Sequence, residues 1–575
     1  MAQASSSASS ASSVTPSDWW MFHGDPAHSG LVTGSSITSA NAGTLATLFD
    51  VELDGPILST PAVVAGFVYV GTANSHDAVG SNGGSFYKVE LATGKIAAVF
   101  HWDIPAEERD THGFCGMGCT PCVTGGRVYF SAFNGKMYCL DQTTLAPVWI
   151  TDLRYADQLH NQPVTNDLGA EQGMPPAAGW SSPVVVNGKL YVGIGEGENP
   201  FLYSFVYCLD AATGDVVWIF CTCQFQANQA NQPNQLPAET LNGPPPAGFT
   251  VFDGTPVSLG CSVWAGIAYD ETLNRLYCST GNPQPDSELP SPGTSNGLLV
   301  LDAGTGTFVG FVQFPPQSSY RVTDIDVDVG GAPTLWTDAQ GNRRVGLGCK
   351  NGSYMVLDAQ TLAPLALRQM LPFYNDGGQI PTVDPHGTPD ETNNNVMNPR
   401  VPNEVSNANQ GENYSGTYST AAIHPGTQRL FMGVGGNNYH PLAPGIDTDT
   451  TPFLRAMSWD DLSDAWPLDD NDPKRYLKAR PPMYTNATES GLSVPAVVND
   501  VVFMATTMIT VYAFAVADGT PLWQDQLGSE TGGFNGGYGY CMGPAVWGDY
   551  VVAGGLIYGR TGGLLRIYRL PQTQS

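Results

Sequence analysis

The sequence predicts an all-β fold, an eight-bladed β-propeller of four-stranded antiparallel blades, and three observations carry the prediction. One strand-and-turn phrase recurs along nearly the whole chain. The 575 residues exceed what one hydrophobic core usually serves, which leaves several domains or a closed array of modules sharing a core. Finally, 67 glycines, 44 prolines and 10% aromatic residues suit many short strands joined by turns, whereas a helical protein carries far more Ala, Glu, Lys and Leu.

The clearest copy of the phrase runs from Val206 to Gly214, reading Val-Tyr-Cys-Leu-Asp-Ala-Ala-Thr-Gly, and its return strand ends at Trp218. Related copies are Phe86 to Gly94, Met137 to Leu145 with Trp149, Leu299 to Gly306, Tyr354 to Thr361, and Val511 to Gly519 with Trp523. Each reads as an apolar strand, a tight turn made by Asp and Thr-Gly, and a return strand whose Trp packs on the next module. A further strand pair precedes the phrase, as in Pro183 to Gly193 and Pro495 to Phe503, which completes a four-stranded blade. Blades then begin near Thr60, Thr120, Ser182, Ser262, Gly331, Ser419, Ser493 and Gly543, and the strand Leu48 to Leu53 closes the ring. Residues 18–572 form one propeller domain on this reading, after a disordered Ser/Ala-rich leader at 1–17. The polar insertions 155–179, 224–254 and 373–411 are expected to shape the mouth of a central pocket.

A balance of 23 Lys+Arg against 52 Asp+Glu, net -29, repels phosphate backbones and anionic lipid headgroups, which argues against nucleic acid as a partner. No apolar run approaches the length of a membrane span, and the leader lacks the basic and apolar regions of a signal peptide. Eleven cysteines leave at least one thiol unpaired. Cys139, Cys208, Cys278 and Cys349 sit on strands and read as small buried apolar side chains. His112 with Cys115, Cys119 and Cys122 could hold zinc, but a Cys115 to Cys119 disulfide or a plain loop is preferred.

Together with the opening Trp20-Met21-Phe22-His23-Gly24-Asp25 and the stretch Ile37 to Asn41, the repeats resemble the pyrroloquinoline-quinone (PQQ) dependent alcohol dehydrogenases, whose fold is an eight-bladed propeller. The opening is similar to the polyvinyl-alcohol dehydrogenase branch, and the resemblance runs from Trp19 to about Arg569. In Val192 to Glu198 it implies that Glu198 binds the metal beside PQQ, with Glu196 the alternative. In Trp264 to Asp270 and Leu276 to Pro283 it implies that Trp264 stacks on the quinone and Asn282 lends its side-chain oxygen to the metal. In Asp324 to Pro333 it implies Asp326 as catalytic base and metal ligand and Asp328 as a following ligand, with Asp324 or Asp328 as base in another register, because Ile325 replaces the usual Trp. Lys350 is implied to hydrogen-bond the quinone oxygens, and Cys119 and Trp180 complete the implied cofactor surroundings. The sequence departs from the family in lacking an adjacent Cys-Cys pair and the arginine that follows it. Cys119-Thr120-Pro121-Cys122 is followed by Val123, not His, so covalent haem c is not expected and electrons leave to a separate carrier such as a soluble cytochrome c. The resemblance also implies a periplasmic or secreted location.

The residue types agree with this chemistry. Carboxylates and an amide oxygen are hard ligands suited to Ca²⁺ or a lanthanide, not Zn²⁺. A bound cation polarises a quinone carbonyl, and a nearby carboxylate takes the alcohol proton as hydride leaves. An aromatic floor and a Lys hold a planar anionic cofactor. Each residue also has a plain reading: Glu198 as a solvated loop carboxylate, Thr280 to Pro283 as an ordinary turn, Trp264 as blade packing. Asp324, Asp326 and Asp328 open like an EF-hand, but Val329 and Leu335 stand where Gly and Glu are required. Gly293 to Gly297 matches a nucleophile elbow only formally, since a strand follows. The expected function is alcohol oxidation to an aldehyde or ketone. A cofactor-free propeller serving as a scaffold is the alternative, and a sugar-binding propeller a third.

Overall fold

The computed structural model describes residues 17–74, 83–105, 115–153, 179–195, 204–222, 259–281, 283–284, 294–314, 329–349, 353–369, 419–434, 454–469, 472–476, 493–506, 510–527, 543–556 and 562–572. Their strands form eight antiparallel blades in chain order. Blade 3 is representative: Val184–Val186, Lys189–Ile194, Phe205–Asp210 and Val216–Cys221 pair in sequence from the axis outward. Blades 1, 2, 4, 5 and 7 repeat that order. In blade 6 the described residues form three strands, Ala422–His424, Arg429–Gly433 and Leu454–Ser458, and a bridge from Met457 to Asp464 marks where the outermost strand begins. Blade 8 takes its outermost strand, Ala46–Leu53, from the start of the chain, paired antiparallel with Gly563–Arg569. Ring closure by this strand is the arrangement the sequence predicts.

The recurring phrase has a packing reason. In blade 3 the Asp210 carboxylate accepts the Ala212 and Thr213 N–H groups at 2.9 and 3.2 Å, and Gly214, at φ +79, closes the turn. A Cβ on Gly214 would lie 2.7 Å from the Trp149 ring of blade 2, so Gly is required by conformation and by space. Trp149 donates its indole N–H to the Ala211 carbonyl, which also accepts the Tyr129 hydroxyl. One junction later Trp218 and Tyr191 repeat this on the Ala303 carbonyl, at 3.2 and 3.0 Å. Trp466 bonds Val516 and Trp523 bonds Leu45 in the same way. Between blades 5 and 6 Arg368 takes the role, reaching the Leu462 carbonyl and the Asp464 carboxylate.

Strand polarity sorts the connections between two ends. Hairpins joining strands one to two and three to four lie at one end, the turn end, as at Asn187-Gly188, whose φ values of 50 and 74 make a type I′ pair. Connections between strands two and three, and from one blade to the next, lie at the opposite end, the loop end.

The axis is occupied by an N-terminal strap. Its carbonyls accept one N–H from the innermost strand of successive blades: Trp19 from Val63, Trp20 from Val123, Pro26 from Tyr269, Ala27 from Leu335, Ser29 from Ile423 and Gly30 from Val497, at 2.7 to 2.8 Å. Leu31–Val32 then runs parallel to Ala496–Val498 of blade 7. Asp18 takes the Trp547 indole N–H of blade 8. An inner edge strand leaves donors that must be paired once buried, and the strap pairs them in blade order. His23 and His28 are fully buried in it. The His28 Nδ1 donates to the Pro333 carbonyl at 3.0 Å.

Candidate active site at the loop end

The sequence-predicted residues fall into two groups. Trp264, Trp180 and Cys119 are described, whereas Glu198, Asn282, Asp326, Asp328 and Lys350 lie outside the described residues, as do Glu196, Asp324 and His112. The flanks of the second group are ordered. Gly195 follows the second strand of blade 3, Gly281 and Pro283 follow that of blade 4, Val329 precedes blade 5, and Cys349 and Ser353 bracket the next connection. All of these flanks are at the loop end by strand polarity.

Trp180 and Trp264 occupy matching places on adjacent blades. Each stands five residues before the inner-strand residue, Val185 or Tyr269, that pairs with a Leu on the second strand. Both are partly buried. Trp180 meets Phe133 with ring centroids 4.5 Å apart, and a Cβ on Gly118 would lie 2.9 Å from it. It therefore spans from blade 3 to the segment carrying Cys119. Trp264 packs against the cluster that Phe22 of the strap forms with Ala265, Ala332 of blade 5 and Val494 of blade 7, a set that can meet only near the axis.

Cys119 is a buried free thiol that donates to the Ser131 carbonyl at 3.3 Å, and burial pushes its pKa up to about 11. The free Cys119 thiol corrects the disulfide half of the expectation for Cys115 and Cys119, and Cys122 is free as well. Cys115 is instead held on a two-residue strand against Asn74. Among the described residues no three His, Cys, Asp or Glu side chains cluster as a metal site.

Sequence reasoning missed a set of polar groups at this end. Hydroxyls just ahead of the inner strands clasp neighbouring blades: Ser182 takes the Thr120 N–H, Thr420 that of Ala332 and Thr60 that of Gly543, at 2.8 to 3.0 Å. The recurrent Ser/Thr before Pro at blade starts was the available signal. Four more buried hydroxyls, on Ser59, Thr120, Ser181 and Ser262, have no hydrogen-bond partner, and neither does either amide atom of Asn296. Ser262 and Asn296 both grip Gly281 by backbone bonds of 2.9 and 3.0 Å, directly before Asn282. Buried polar groups are almost always paired. Donors and acceptors left open at the same end as two tryptophans fit a planar, oxygen-rich ligand, so these residues suit PQQ and an oxygen-bound cation.

No family model matches the chain. Among curated relatives, the dehydrogenase subunit of the quinone alcohol dehydrogenase of Komagataeibacter europaeus is 25% identical over 348 residues, 56% of this chain and 42% of that protein. The quinohemoprotein alcohol dehydrogenase ADH-IIG of Pseudomonas putida is 26% identical over 352 residues, 58% of this chain and 43% of the relative. The chain thus matches less than half the length of these relatives. Over the matched part the chain is similar to quinone and quinohemoprotein alcohol dehydrogenases. Its fold agrees: the quinohemoprotein alcohol dehydrogenase of Comamonas testosteroni superposes with a TM-score of 0.62 over 97% of this chain and 82% of that one, at 16% identity. A europium-containing methanol dehydrogenase superposes at 0.63 over 96% and 98%, also at 16% identity. Among the described residues no helix is long and apolar enough to cross a membrane.

Proposed function

We propose that the protein oxidises an alcohol to an aldehyde or ketone with PQQ and a Ca²⁺ or lanthanide ion held at the loop end of the propeller. The observation that carries the reading is that Trp264 packs near the axis at the loop end, where buried polar groups are left without partners and the flanks of all five remaining candidates lie. The relatives' names and the europium-containing neighbour support it.

When bound, PQQ beside a cation supplies a hydride acceptor whose carbonyl the metal polarises. Trp264 would present its indole face to the ring, with Trp180 and Cys119 beside it. Glu198, Asn282, Asp326 and Asp328 would hold the cation, hard oxygens for a hard ion. Lys350 would meet the quinone oxygens, and Asp326 would take the hydroxyl proton of the alcohol. Electrons would pass to an external carrier such as a soluble cytochrome c, and export to the periplasm or beyond would suit that carrier. The opening similar to polyvinyl-alcohol dehydrogenases keeps polymeric alcohols among the substrates to assay.

In the test, purified protein reduces an artificial dye with alcohol only after PQQ and Ca²⁺ or a lanthanide are added. Asp326→Ala should lower turnover at least a hundredfold, the lower range of general-base catalysis, while PQQ still binds. Unchanged turnover in that variant would remove Asp326 as the base.

A further inference from the structure

We propose that Phe22, on the axial strap, is a positioning residue for Trp264, its ring being the support that sets the plane of the indole. The inference rests on the role proposed above for Trp264, and its test separates the two.

Trp264 stands on a buried cluster of Phe22, Ala265, Ala332 and Val494. Three of the four are short aliphatic side chains, so within this cluster only Phe22 offers a surface of ring size. The four come from the strap, from Trp264's own blade and from blades 5 and 7. The support is therefore assembled across the axis and depends on the strap being seated.

Phe22 is itself held in place. It is 3% exposed and meets the buried His28 ring edge-on, with centroids 5.0 Å apart and planes at 84°. His28 is pinned in turn by its bond to the Pro333 carbonyl of blade 5. Gly266, two residues on, is fixed by its backbone conformation at φ +125 and lies close against this pair, since a Cβ there would meet Phe22 Cδ1 and His28 Cε1 at an ordinary contact distance of 3.7 Å.

A stacking platform serves only when its plane is fixed, because an indole free to tilt loses offset stacking. Deleting the phenyl ring leaves a void beneath Trp264 into which the indole can turn. The strap on this view does more than pair the inner strands, since it forms the floor of the candidate site.

The test compares full-length variants. The emission of Trp264 is obtained as the difference between each protein and its Trp264→Phe counterpart. Without quinone, Phe22→Ala should shift that emission to the red and raise its quenching by acrylamide. With Ca²⁺, PQQ binding measured by equilibrium dialysis should weaken by about tenfold, the scale of one aromatic pair. Phe22→Tyr should restore both. Ile37→Ala removes a fully buried side chain further along the same N-terminal segment and should change neither. Should Phe22→Ala fail to fold, Phe22→Leu carries the same two readouts at smaller amplitude. The proposal is overturned if Phe22→Ala, or Phe22→Leu in its place, leaves both unchanged, or if Ile37→Ala moves them equally. If the wild-type protein takes up no PQQ, the functional reading fails, and the Trp264 emission alone still decides the role of Phe22.

Discussion

Lowering the pH should loosen the axial strap through His28. Burial, with the neighbouring His23, holds its imidazole pKa down at about 3, against 6.5 in a solvated chain. The Pro333 carbonyl can only accept, so Nδ1 carries the proton and Nε2 is a bare acceptor with no partner. The folded-state pKa is depressed, so the unfolded chain binds the proton first. Stability is then lost as pH falls below 6.5, and the loss levels off near 3. Between pH 7 and pH 5 the unfolded His28 takes up about three-quarters of a proton while the folded one stays neutral, a loss of about 2 kcal/mol. His23, pushed down to about 4 mainly by burial, adds a loss of the same sign. His28→Asn keeps a donor near the Nδ1 position and removes the titration, so it isolates the His28 part. Urea unfolding at both pH values should show the stability of His28→Asn falling by about 2 kcal/mol less than that of wild type. Equal falls in the two proteins would refute the burial argument.

Further outcomes follow from the packing. Gly306→Ala places a Cβ 2.5 Å from the Trp218 ring at φ +69, and should cost about 2–4 kcal/mol of stability from overpacking and backbone strain together, read from the urea midpoint; a cost below about 1 kcal/mol would show that the junction yields freely. Cys119, with its thiol pushed up to about 11, should resist iodoacetamide at pH 8 in the folded protein and be alkylated fully once unfolded without reductant; an unlabelled Cys115 and Cys119 after unfolding would mean a disulfide.

The ring was legible in the sequence because its signals are local and repeated. Asp210, Thr213 and Gly214 make one turn, and Trp149 reaches only to the adjacent blade, so the phrase reports its own environment. The closing strand was legible for the same reason, as an apolar alternation left over at the start of the chain. The strap was not, because Trp19 to Val32 has no periodicity: its carbonyls face six different blades, and that role shows only once the blades stand around an axis. The same holds for Asn296 and Ser262, whose side chains lack partners only once the fold has buried them. The disulfide expectation failed because sequence spacing says nothing of Ser131, whose carbonyl takes the Cys119 thiol proton. Of the candidate site, Trp264 and its axial position join the sequence reading to the structure, and the carboxylates remain readings from the resemblance.

The central claim is that the loop end takes up PQQ together with a hard cation. Its most direct measurement is a titration of metal-free protein with PQQ in the presence of Ca²⁺ or a lanthanide, followed by tryptophan fluorescence and equilibrium dialysis. The account predicts saturation at one PQQ per chain, quenching of the Trp264 emission, and no uptake when the cation is chelated. Absence of binding with every cation, or binding indifferent to both the cation and Trp264→Phe, would contradict it.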